Sequence, residues 1–480
     1  MEPAENIVTH VDPGSVKRIH VLGVAGTGMG SFAGLLQAAG YTVTGSDEGV
    51  YPPMSEQLQA WGITALSPYG EANLDAARPD LVIVGNVIRR VNPEATAMRA
   101  RGLPHMSFPV ALGDLFLATR HPIVVAGTHG KTTTSAMASH VLVHAGRDPS
   151  FLVGGVSRNH ATNFRLGRGP HFVVEGDEYD TAYFDKGPKF WHYRPRTLIL
   201  TSVELDHADI YRDLAHYESA FEKLVALLPS DGNVAVCAGY PNAVRIAEQA
   251  GCAVQTYSAH GPASWTARNV ALGPSGARFE VEHGGHALGE VAMSIAGLHN
   301  VENALGVYAA LSPLGLSHQE IAAGLADFTG VKRRQEVRGT VRGVTVIDDF
   351  AHHPTAVKAT LEAIAARYPG RRLIALFEPR SNTSRRNLHQ AAYAMSFGPA
   401  QRALILAPKP HDQVPADQRL DSAQLAAELS AHGTPAESFA TVDALAASAL
   451  ALARPGDVFL VMSNGAFGGL IPTLLDGLAA

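Results

Sequence analysis

The chain has 480 residues, of which 46% are hydrophobic and 17% are charged, and its formal net charge is −6. This composition excludes a disordered chain, and the acidic balance argues against a nucleic-acid or membrane partner. Two cysteines, Cys237 and Cys252, exclude a disulfide framework and a four-cysteine zinc site. No apolar run has the length of a membrane span and the start lacks a signal-peptide pattern, so we expect a cytoplasmic protein of about three domains.

The first block, residues 1–119, has the pattern of a βαβ unit. An apolar stretch at Ile19–Val24 is followed by a glycine turn and then by helical periodicity around Leu35 and Leu36. Tyr41–Thr44 and Leu81–Val84 have the composition of further buried strands. We therefore expect an α/β domain here.

The second block, residues 120–331, begins with the strand pattern Pro122–Ala126. Phe172–Glu175 and Thr197–Leu200 are further apolar strand candidates. The stretch from Cys252 to Gly297 is rich in glycine and β-forming residues. We expect it to form smaller antiparallel strands inserted between the helices.

The third block, residues 332–480, alternates between strand and helix patterns. Such alternation is typical of a parallel, doubly wound sheet, so the predicted fold class is α/β throughout. The predicted strands are Val344–Asp348, Arg372–Phe377, Ala403–Leu406 and Val458–Val461, and the predicted helices include Thr355–Tyr368 and Ser422–His432.

The segment Gly127–Thr133 carries the strongest local motif, Gly-Thr-His-Gly-Lys-Thr-Thr, between a predicted strand and a predicted helix. In such a loop, backbone N–H groups and a helix N-terminus face a phosphate, while Lys131 reaches phosphate oxygens and the Thr132 hydroxyl binds Mg²⁺. Val125 stands where the full P-loop pattern has its first glycine. The alternative is a tight turn without a ligand, but the strand–helix context favours phosphate binding.

Polar residues follow the next two predicted strands of the second block. Glu175 ends one strand, and Asp206-His207 comes after the other. Because the carboxyl ends of neighbouring parallel strands converge on a ligand crevice, Glu175 and His207 are candidate Mg²⁺ ligands. Imidazole is an unusual ligand for so hard an ion, so a structural role for His207 stays open.

Near the N-terminus, Gly26-Thr27-Gly28-Met29-Gly30 follows a strand, and Asp47 lies 21 residues beyond Gly26. The pattern resembles a dinucleotide fingerprint, although Ser31 replaces its third glycine. An NAD-linked dehydrogenase is therefore one alternative hypothesis. A regulatory nucleotide-binding module without catalysis is another.

Two clusters near the second domain boundary add candidate ligand contacts. Asn300 and Asn303 lie three residues apart on one helical face, where they are either placed to bind a base or are ordinary polar residues of a helix start. Arg333-Arg334 and the segment Asp348–Pro354 supply cations and acceptors. The two arginines alone would fit a solvated surface.

In this order, these segments resemble the Mur ligases, the ATP-dependent amide-forming enzymes of bacterial cell-wall assembly. The resemblance covers the chain from about Arg18 to its end. It is carried by Gly127–Thr133, Glu175-Gly-Asp-Glu178, Asp206-His207, His299-Asn300 with Asn303, Arg333-Arg334 and Asp349-Phe-Ala-His-His-Pro354.

Two branches of that family add different groups to UDP-N-acetylmuramate. One adds L-alanine; the other adds the recycled murein tripeptide L-alanyl-γ-D-glutamyl-meso-diaminopimelate. We expect the tripeptide-adding branch, with the alanine-adding branch as the alternative. The segments that resemble the former are Tyr51–Ser55, Asp177–Asp180, Tyr183–Lys186, Glu378–Thr383 and Ser463–Gly469.

The resemblance implies a Rossmann-like UDP-sugar domain, a central P-loop ATPase domain and a Rossmann-like C-terminal peptide domain, with ATP and Mg²⁺ as cofactors. It implies catalytic roles for Lys131, Glu175 and His207, of which the last two bind Mg²⁺ together with Thr132. The implied nucleotide contacts are Gly127, Thr128, His129, Gly130, Lys131, Thr132, Thr133, Asn300, Asn303, Arg334, Asp349 and His352. The implied substrate contacts are Gly26, Thr27, Gly28, Met29, Ser46, Asp47, Arg380, Ser381, Asn382, Thr383 and Asn464.

Overall fold

A computed structural model describes residues 5–51, 54–409 and 414–480. The strands form three principal sheets, each built from one block of the sequence. Within the described ranges, no helix is long and apolar enough to cross a membrane.

The first sheet has five parallel strands in the order β3-β2-β1-β4-β5. Its two central strands, β1 and β4, are buried except at Arg18 because helices cover both faces. The strands are β1 (Arg18–Leu22), β2 (Thr42–Ser46), β3 (Thr64–Leu66), β4 (Leu81–Val84) and β5 (His105–Ser107). The helices are α1 (Thr27–Ala38), α2 (Met54–Ala60), α3 (Glu71–Ala77), α4 (Pro93–Ala100) and α5 (Phe108–Leu112), followed by a π-turn at Gly113–Leu117.

The middle sheet has ten strands in the order β17-β16-β15-β14-β13-β12-β6-β9-β7-β8, and β10 and β11 form a separate ribbon. Its strands are β6 (His121–Ala126), β7 (Ser150–Leu152), β8 (Phe164–Arg165), β9 (His171–Gly176), β12 (Thr197–Leu200), β13 (Asn233–Cys237), β14 (Ala253–Ser258), β15 (Trp265–Gly273), β16 (Gly276–His283) and β17 (His286–Met293). The ribbon comprises β10 (Asp180–Ala182) and β11 (Asp185–Pro188). The helices are α6 (Lys131–His144), α7 (Leu214–Ala226), α8 (Pro241–Ala247), α9 (Leu298–Leu311) and α10 (His318–Asp327), with 3₁₀ turns at Lys189–His192 and Ser312–Leu314.

The predicted insertion of antiparallel strands at 252–297 is right for β15 to β17 and wrong for β14. Strand β14 pairs in parallel with β13, and β15 to β17 continue the same sheet as an antiparallel extension. Buried aromatic side chains of β15 and β16, including Trp265 and Phe279, pack into the core beneath α9. The segment is therefore part of the central sheet and of its core.

The third sheet has six strands in the order β18-β19-β23-β20-β21-β22, in which only β18 is antiparallel to its neighbour. The strands are β18 (Glu336–Val341), β19 (Val344–Asp349), β20 (Leu373–Phe377), β21 (Arg402–Leu406), β22 (Ala436–Phe439) and β23 (Val458–Met462). The helices are α11 (Pro354–Arg367), α12 (Gln390–Ala394), α13 (Ser422–Ala431), α14 (Val442–Leu452) and α15 (Leu470–Ala479), with 3₁₀ turns at Asn387–His389, Ala416–Gln418 and Phe467–Gly469.

The first two blocks share one hydrophobic core, and the third block has separate cores. Phe32 and Phe116 of the first block belong to one buried cluster with Phe172 of the middle sheet. The third sheet buries separate clusters on its two faces. The third block contacts the middle one through α11, which packs against α9 and β15, and through polar side chains, and the site described below lies at that boundary.

Candidate active site at the boundary of the middle and third sheets

The loop from Gly127 to Gly130 joins β6 to α6 at the carboxyl end of the sheet. Gly127 has a φ of 135°, and a side chain there would come within 2.8 Å of the Ser202 backbone, so only glycine fits. The amides of Thr128 and His129 are bonded to Ser202. The amides in the first turn of the 14-residue helix α6 have no partner within the helix, so this end of the loop is suited to bind an anion.

Lys131, the first residue of α6, points back over its own loop. Its Nζ donates to the carbonyl of Gly127 at 2.5 Å and lies 3.0 and 2.9 Å from the two carboxylate oxygens of Glu178. Burial acts to lower the pKa of Lys131, but the negative charges of Glu178 and Asp177 outweigh it and raise the pKa. Lys131 is therefore a buried, protonated cation held at the loop.

Glu178 is the residue at the centre of this site, and sequence reasoning assigned it no role. It is fully buried and accepts hydrogen bonds from Lys131, from His207 Nε2 at 3.0 Å and from the Tyr217 hydroxyl at 3.3 Å. Burial acts to raise its pKa, but Lys131 and His207 lower it to about 2. The sequence feature that could have identified Glu178 as a site residue is its position in the Glu175-Gly-Asp-Glu178 segment.

Thr132 and Glu175 form an oxygen-rich group beside Lys131. The Thr132 hydroxyl donates to Glu175 Oε1 at 2.8 Å, and the amide of Gly154 donates to Glu175 Oε2 at 2.6 Å. Burial and the charge of Asp177 raise the pKa of Glu175. A partly buried carboxylate and a hydroxyl are hard oxygen ligands, so this group fits Mg²⁺, and a cation there would favour the ionised form of Glu175.

His207 was expected to be a Mg²⁺ ligand, but in the structure its imidazole binds a carboxylate. Its Nε2 is hydrogen-bonded to Glu178, and Asp206 and Glu178 raise its pKa despite the opposing effect of burial. A protonated imidazole has no free lone pair for a metal. In this structure His207 is an ion-pair partner of Glu178, and a role as a Mg²⁺ ligand stays a prediction.

A cavity between the P-loop, α9 and the start of α11 contains many of the predicted nucleotide contacts. Of these, His129, Gly130, Thr133, Asn300, Asn303, Arg334 and Asp349 line it. Its apolar wall includes Tyr240, Tyr257, Ile295 and Val331. Apolar walls with a few polar groups are typical of a site that binds a nucleotide base.

The two asparagines of α9 are fixed to their surroundings rather than free. Asn303 donates to Asn300 Oδ1 at 3.2 Å, and Asn300 donates to the Ala296 carbonyl at 2.7 Å. A side chain at Gly130 would lie 2.7 Å from Asn303 Oδ1, so this amide packs directly on the P-loop. Their contact with a base stays a prediction.

The third block closes the same cavity with Arg334 and Asp349. Arg334 Nη2 donates to the Thr132 hydroxyl at 3.3 Å across the boundary. Asp349 accepts from the amides of Gln335 and Ala351, each at 2.8 Å, so it is locked in place. His352 does not line the cavity, and its Nε2 lies 3.9 Å from Asp206.

A cluster of His129, Glu204 and His353 presents possible ligand atoms within 4.8 Å of one another. His129 Nε2 lies 2.7 Å from Glu204 Oε2. His353 Nδ1 accepts the Thr355 amide at 3.3 Å, so in the neutral ring the other nitrogen carries the proton and is not free to bind a metal. Burial lowers the pKa of His353 and keeps that ring neutral. We interpret the cluster as a packing contact between the two blocks.

The predicted UDP-sugar contacts lie at the start of α1 and the end of β2. Gly26 precedes the first turn of α1, which contains Thr27, Gly28 and Met29. Asp47 Oδ2 accepts from the Ala25 amide at 2.9 Å, which ties the two segments together. Ser46 is fully buried against His20, and Pro52 and Pro53 of the 51–55 segment lie outside the described residues.

The predicted peptide contacts divide into two groups. Arg380 lines a second cavity beyond β20 and β21. Asn382 donates to Asp209 Oδ2 at 2.8 Å and Thr383 accepts the Ala208 amide at 3.1 Å, so both hold the third block against the loop that carries His207. The Ser381 hydroxyl accepts the Ser384 amide at 3.0 Å, and Asn464 Oδ1 is buried without a hydrogen-bond partner among the described residues.

Three family models match the chain in the order of its sheets. The Mur ligase family catalytic domain matches residues 18–120, the Mur ligase middle domain matches 125–311, and the Mur ligase glutamate ligase domain matches 333–465. The chain belongs to the Mur ligase family. This confirms the resemblance and the three-part α/β fold, and it contradicts both the dehydrogenase hypothesis and that of a regulatory module without catalysis.

Individual relatives are similar over nearly the whole chain. The UDP-N-acetylmuramate–L-alanyl-γ-D-glutamyl-meso-2,6-diaminoheptandioate ligase of Escherichia coli is 42% identical over 96% of this chain and 98% of that protein. The solved murein peptide ligase of Psychrobacter arcticus is 36% identical with a TM-score of 0.71, covering 96% of this chain and 98% of that one. The UDP-N-acetylmuramate–L-alanine ligase of Salinibacter ruber is 35% identical over 80% of this chain and 78% of that protein.

Proposed function

We propose that this enzyme uses ATP to join the carboxyl group of UDP-N-acetylmuramate to the α-amine of L-alanyl-γ-D-glutamyl-meso-diaminopimelate. The observation that carries the proposal is the 42% identity, over 96% of the chain, with the Escherichia coli ligase of that name. The reaction would return a recycled murein tripeptide to a cytoplasmic sugar nucleotide, so the proposal includes a cytoplasmic location.

The proposed ATP site is the cavity between the P-loop and the third block. The base would lie among the apolar side chains near Tyr240 and Tyr257, and the phosphates would face the start of α6 and Lys131. Thr132 and Glu175 would hold Mg²⁺, with His207 as a further candidate. When bound, Mg²⁺ offsets phosphate charge during phosphoryl transfer.

The proposed chemistry proceeds in two steps. The muramate carboxylate attacks the γ-phosphorus of ATP, the β–γ phosphoanhydride bond breaks, and ADP leaves as the acyl phosphate forms. The peptide amine then attacks the acyl carbon and loses a proton, and the tetrahedral intermediate expels inorganic phosphate to give the amide. Lys131 would stabilise the transferring phosphoryl group, because it is a preorganised cation in a site with little water. Arg334, bonded across the boundary to Thr132, would help to keep the site closed and the acyl phosphate away from water.

We assign the sugar nucleotide to residues 1–119, ATP to 120–331 and the peptide to 332–480. The start of α1 and Asp47 would receive the UDP group, because a helix N-terminus beside a strand end is suited to phosphate. Arg380 would bind a peptide carboxylate. It has no hydrogen bond or ion pair within the part of the chain that the structure describes, and the Glu378 carboxylate accepts a hydrogen bond from Ser463 instead.

Addition of L-alanine is the alternative function, and one experiment separates the two. Phosphate release is measured with ATP, Mg²⁺, UDP-N-acetylmuramate and either the tripeptide or L-alanine. We expect a higher kcat/KM for the tripeptide. Preference for L-alanine would favour the alternative, and the absence of turnover with either amine would contradict the proposal.

A further inference from the structure

A second cavity opens beyond the carboxyl ends of β20 and β21, against the turn at Ala466–Gly468. It is apart from the nucleotide cavity and shares no lining residue with it. Four charged side chains line it, and the rest of its wall is apolar or small. The charged residues are Glu378, Arg380, Arg385 and Lys409, and the others are Pro379, Leu406, Ala407, Pro408, Ala466, Phe467 and Gly468.

The three cations of this cavity make no side-chain hydrogen bond or ion pair with any residue in the described ranges. They are Arg380, Arg385 and Lys409. Among the described residues, no acceptor bonds the buried Nε of Arg385. Burial and the charge of Arg380 lower the pKa of the Arg385 guanidinium, although Glu378 acts to raise it. Unpaired cations that share a cavity repel one another, so the cavity favours an anionic occupant.

The single carboxylate in the cavity is held in a fixed position. Glu378 Oε2 accepts a hydrogen bond from the Ser463 hydroxyl, and the Ser463 and Gly465 carbonyls accept from Arg333 Nη2. Among the described residues, no protein donor bonds Glu378 Oε1. A fixed carboxylate beside three cations makes the cavity specific for an occupant that carries both signs of charge.

The charges of the cavity match those of the distal part of the proposed peptide. Apart from the reacting amine, that peptide carries three carboxylates and one ammonium group, against three cations and one carboxylate in the cavity. We propose that the cavity recognises the zwitterionic end of diaminopimelate, with Lys409 and Arg385 binding its carboxylates and Glu378 its ammonium group. The inference rests on the proposed function and goes beyond it by naming the residues that select the third amino acid.

The strand order places Lys409 farther from the nucleotide cavity than one amino acid can reach, but within reach of a tripeptide. Asp349 of β19 lines the nucleotide cavity, and Lys409 follows β21, three strands away in the order β19-β23-β20-β21. At about 4.8 Å per strand this separation is about 14 Å. One amino acid spans at most about 3.6 Å, whereas three extended residues span about 11 Å before the γ-linkage and the diaminopimelate side chain add to it. L-Alanine reacting near the nucleotide cannot reach Lys409.

The test compares two tripeptides that differ only at the distal carboxylate. The first is the diaminopimelate peptide, and the second has L-lysine in its place, which keeps the distal ammonium group and lacks the carboxylate. We expect Lys409→Ala to lower kcat/KM for the first peptide 10- to 100-fold, mainly through KM, because a charge-assisted hydrogen bond is lost. The second peptide should be used equally by both enzymes. Arg402→Ala is the matched control, since Arg402 begins the same strand at its other end and pairs with Glu437.

Equal losses on both peptides, or no loss on the first, would overturn the assignment of Lys409. A parallel titration measures binding of each peptide to the wild type and to Lys409→Ala without ATP. If the wild type fails to join either peptide to UDP-N-acetylmuramate, the proposed function fails. In that case, the cavity assignment is supported only if Lys409→Ala weakens binding of the diaminopimelate peptide and not of the lysine peptide. Any other titration result contradicts the assignment.

Discussion

Replacing Lys131 by methionine removes a buried charge while keeping most of the side-chain volume, and so tests the ion pair with Glu178. Both carboxylate oxygens lie within 3.0 Å of Lys131 Nζ, and the two side chains are 12% and 0% exposed. Removing one partner of such a pair costs about 3–5 kcal/mol. The pKa of Glu178 is lowered to about 2 by Lys131 and His207 despite burial, which is the direction expected when the ion pair stabilises the folded state.

We therefore expect Lys131→Met to lower the free energy of unfolding of the first and middle blocks, which share a core, by about 3 kcal/mol at pH 7. Adding Glu178→Gln should recover part of that loss, because no uncompensated carboxylate then remains. Both variants should lose about 10²–10³ in turnover, since the cation at the phosphoryl group is absent.

The assay is urea unfolding followed by the fluorescence of Trp191 and Trp265 in a Trp61→Phe background, combined with phosphate release from the folded variants. This background leaves tryptophans only in the middle block. If Lys131→Met is as stable as the wild type, the ion pair does not contribute as argued. Near-normal turnover in the folded variant would remove Lys131 from the phosphate site.

Four further outcomes are expected. The stability advantage of the wild type over Glu178→Gln should be complete above pH 4.5 and shrink as the pH falls toward about 2, measured by urea unfolding at each pH. Glu175→Gln should raise the Mg²⁺ concentration for half-maximal turnover at least about tenfold, through loss of an anionic ligand. Arg380→Ala should lower kcat/KM for the tripeptide about 10- to 100-fold and leave the KM for ATP unchanged. Calorimetric titration should show saturable binding of UDP-N-acetylmuramate; tight binding of NAD or NADP instead would contradict the assignment of the first block.

The sequence predicted the elements whose signal is local. The apolar strand that ends at Ala126, the glycine loop after it and the alternating strands of the third block were all recognisable, because burial and turn geometry leave short-range patterns. The P-loop helix begins at Lys131, inside the Gly127–Thr133 motif, and sequence patterns do not fix a helix end to within a residue or two. The family resemblance then ordered these elements into three parts.

Only the tertiary structure showed how distant charges combine. The Glu175-Gly-Asp-Glu178 segment marks Glu178 but does not show its partners, and it joins Lys131 to His207 because β6, β9 and β12 are neighbours in one sheet. Asn382 and Thr383 follow a strand end as a ligand-binding loop would, but in the structure they hold the third block against the middle one. Arg385 and Lys409 are separated in sequence and meet at one cavity through the pairing of β20 with β21. Such contacts depend on strand order and domain placement, and short-range sequence patterns do not encode either.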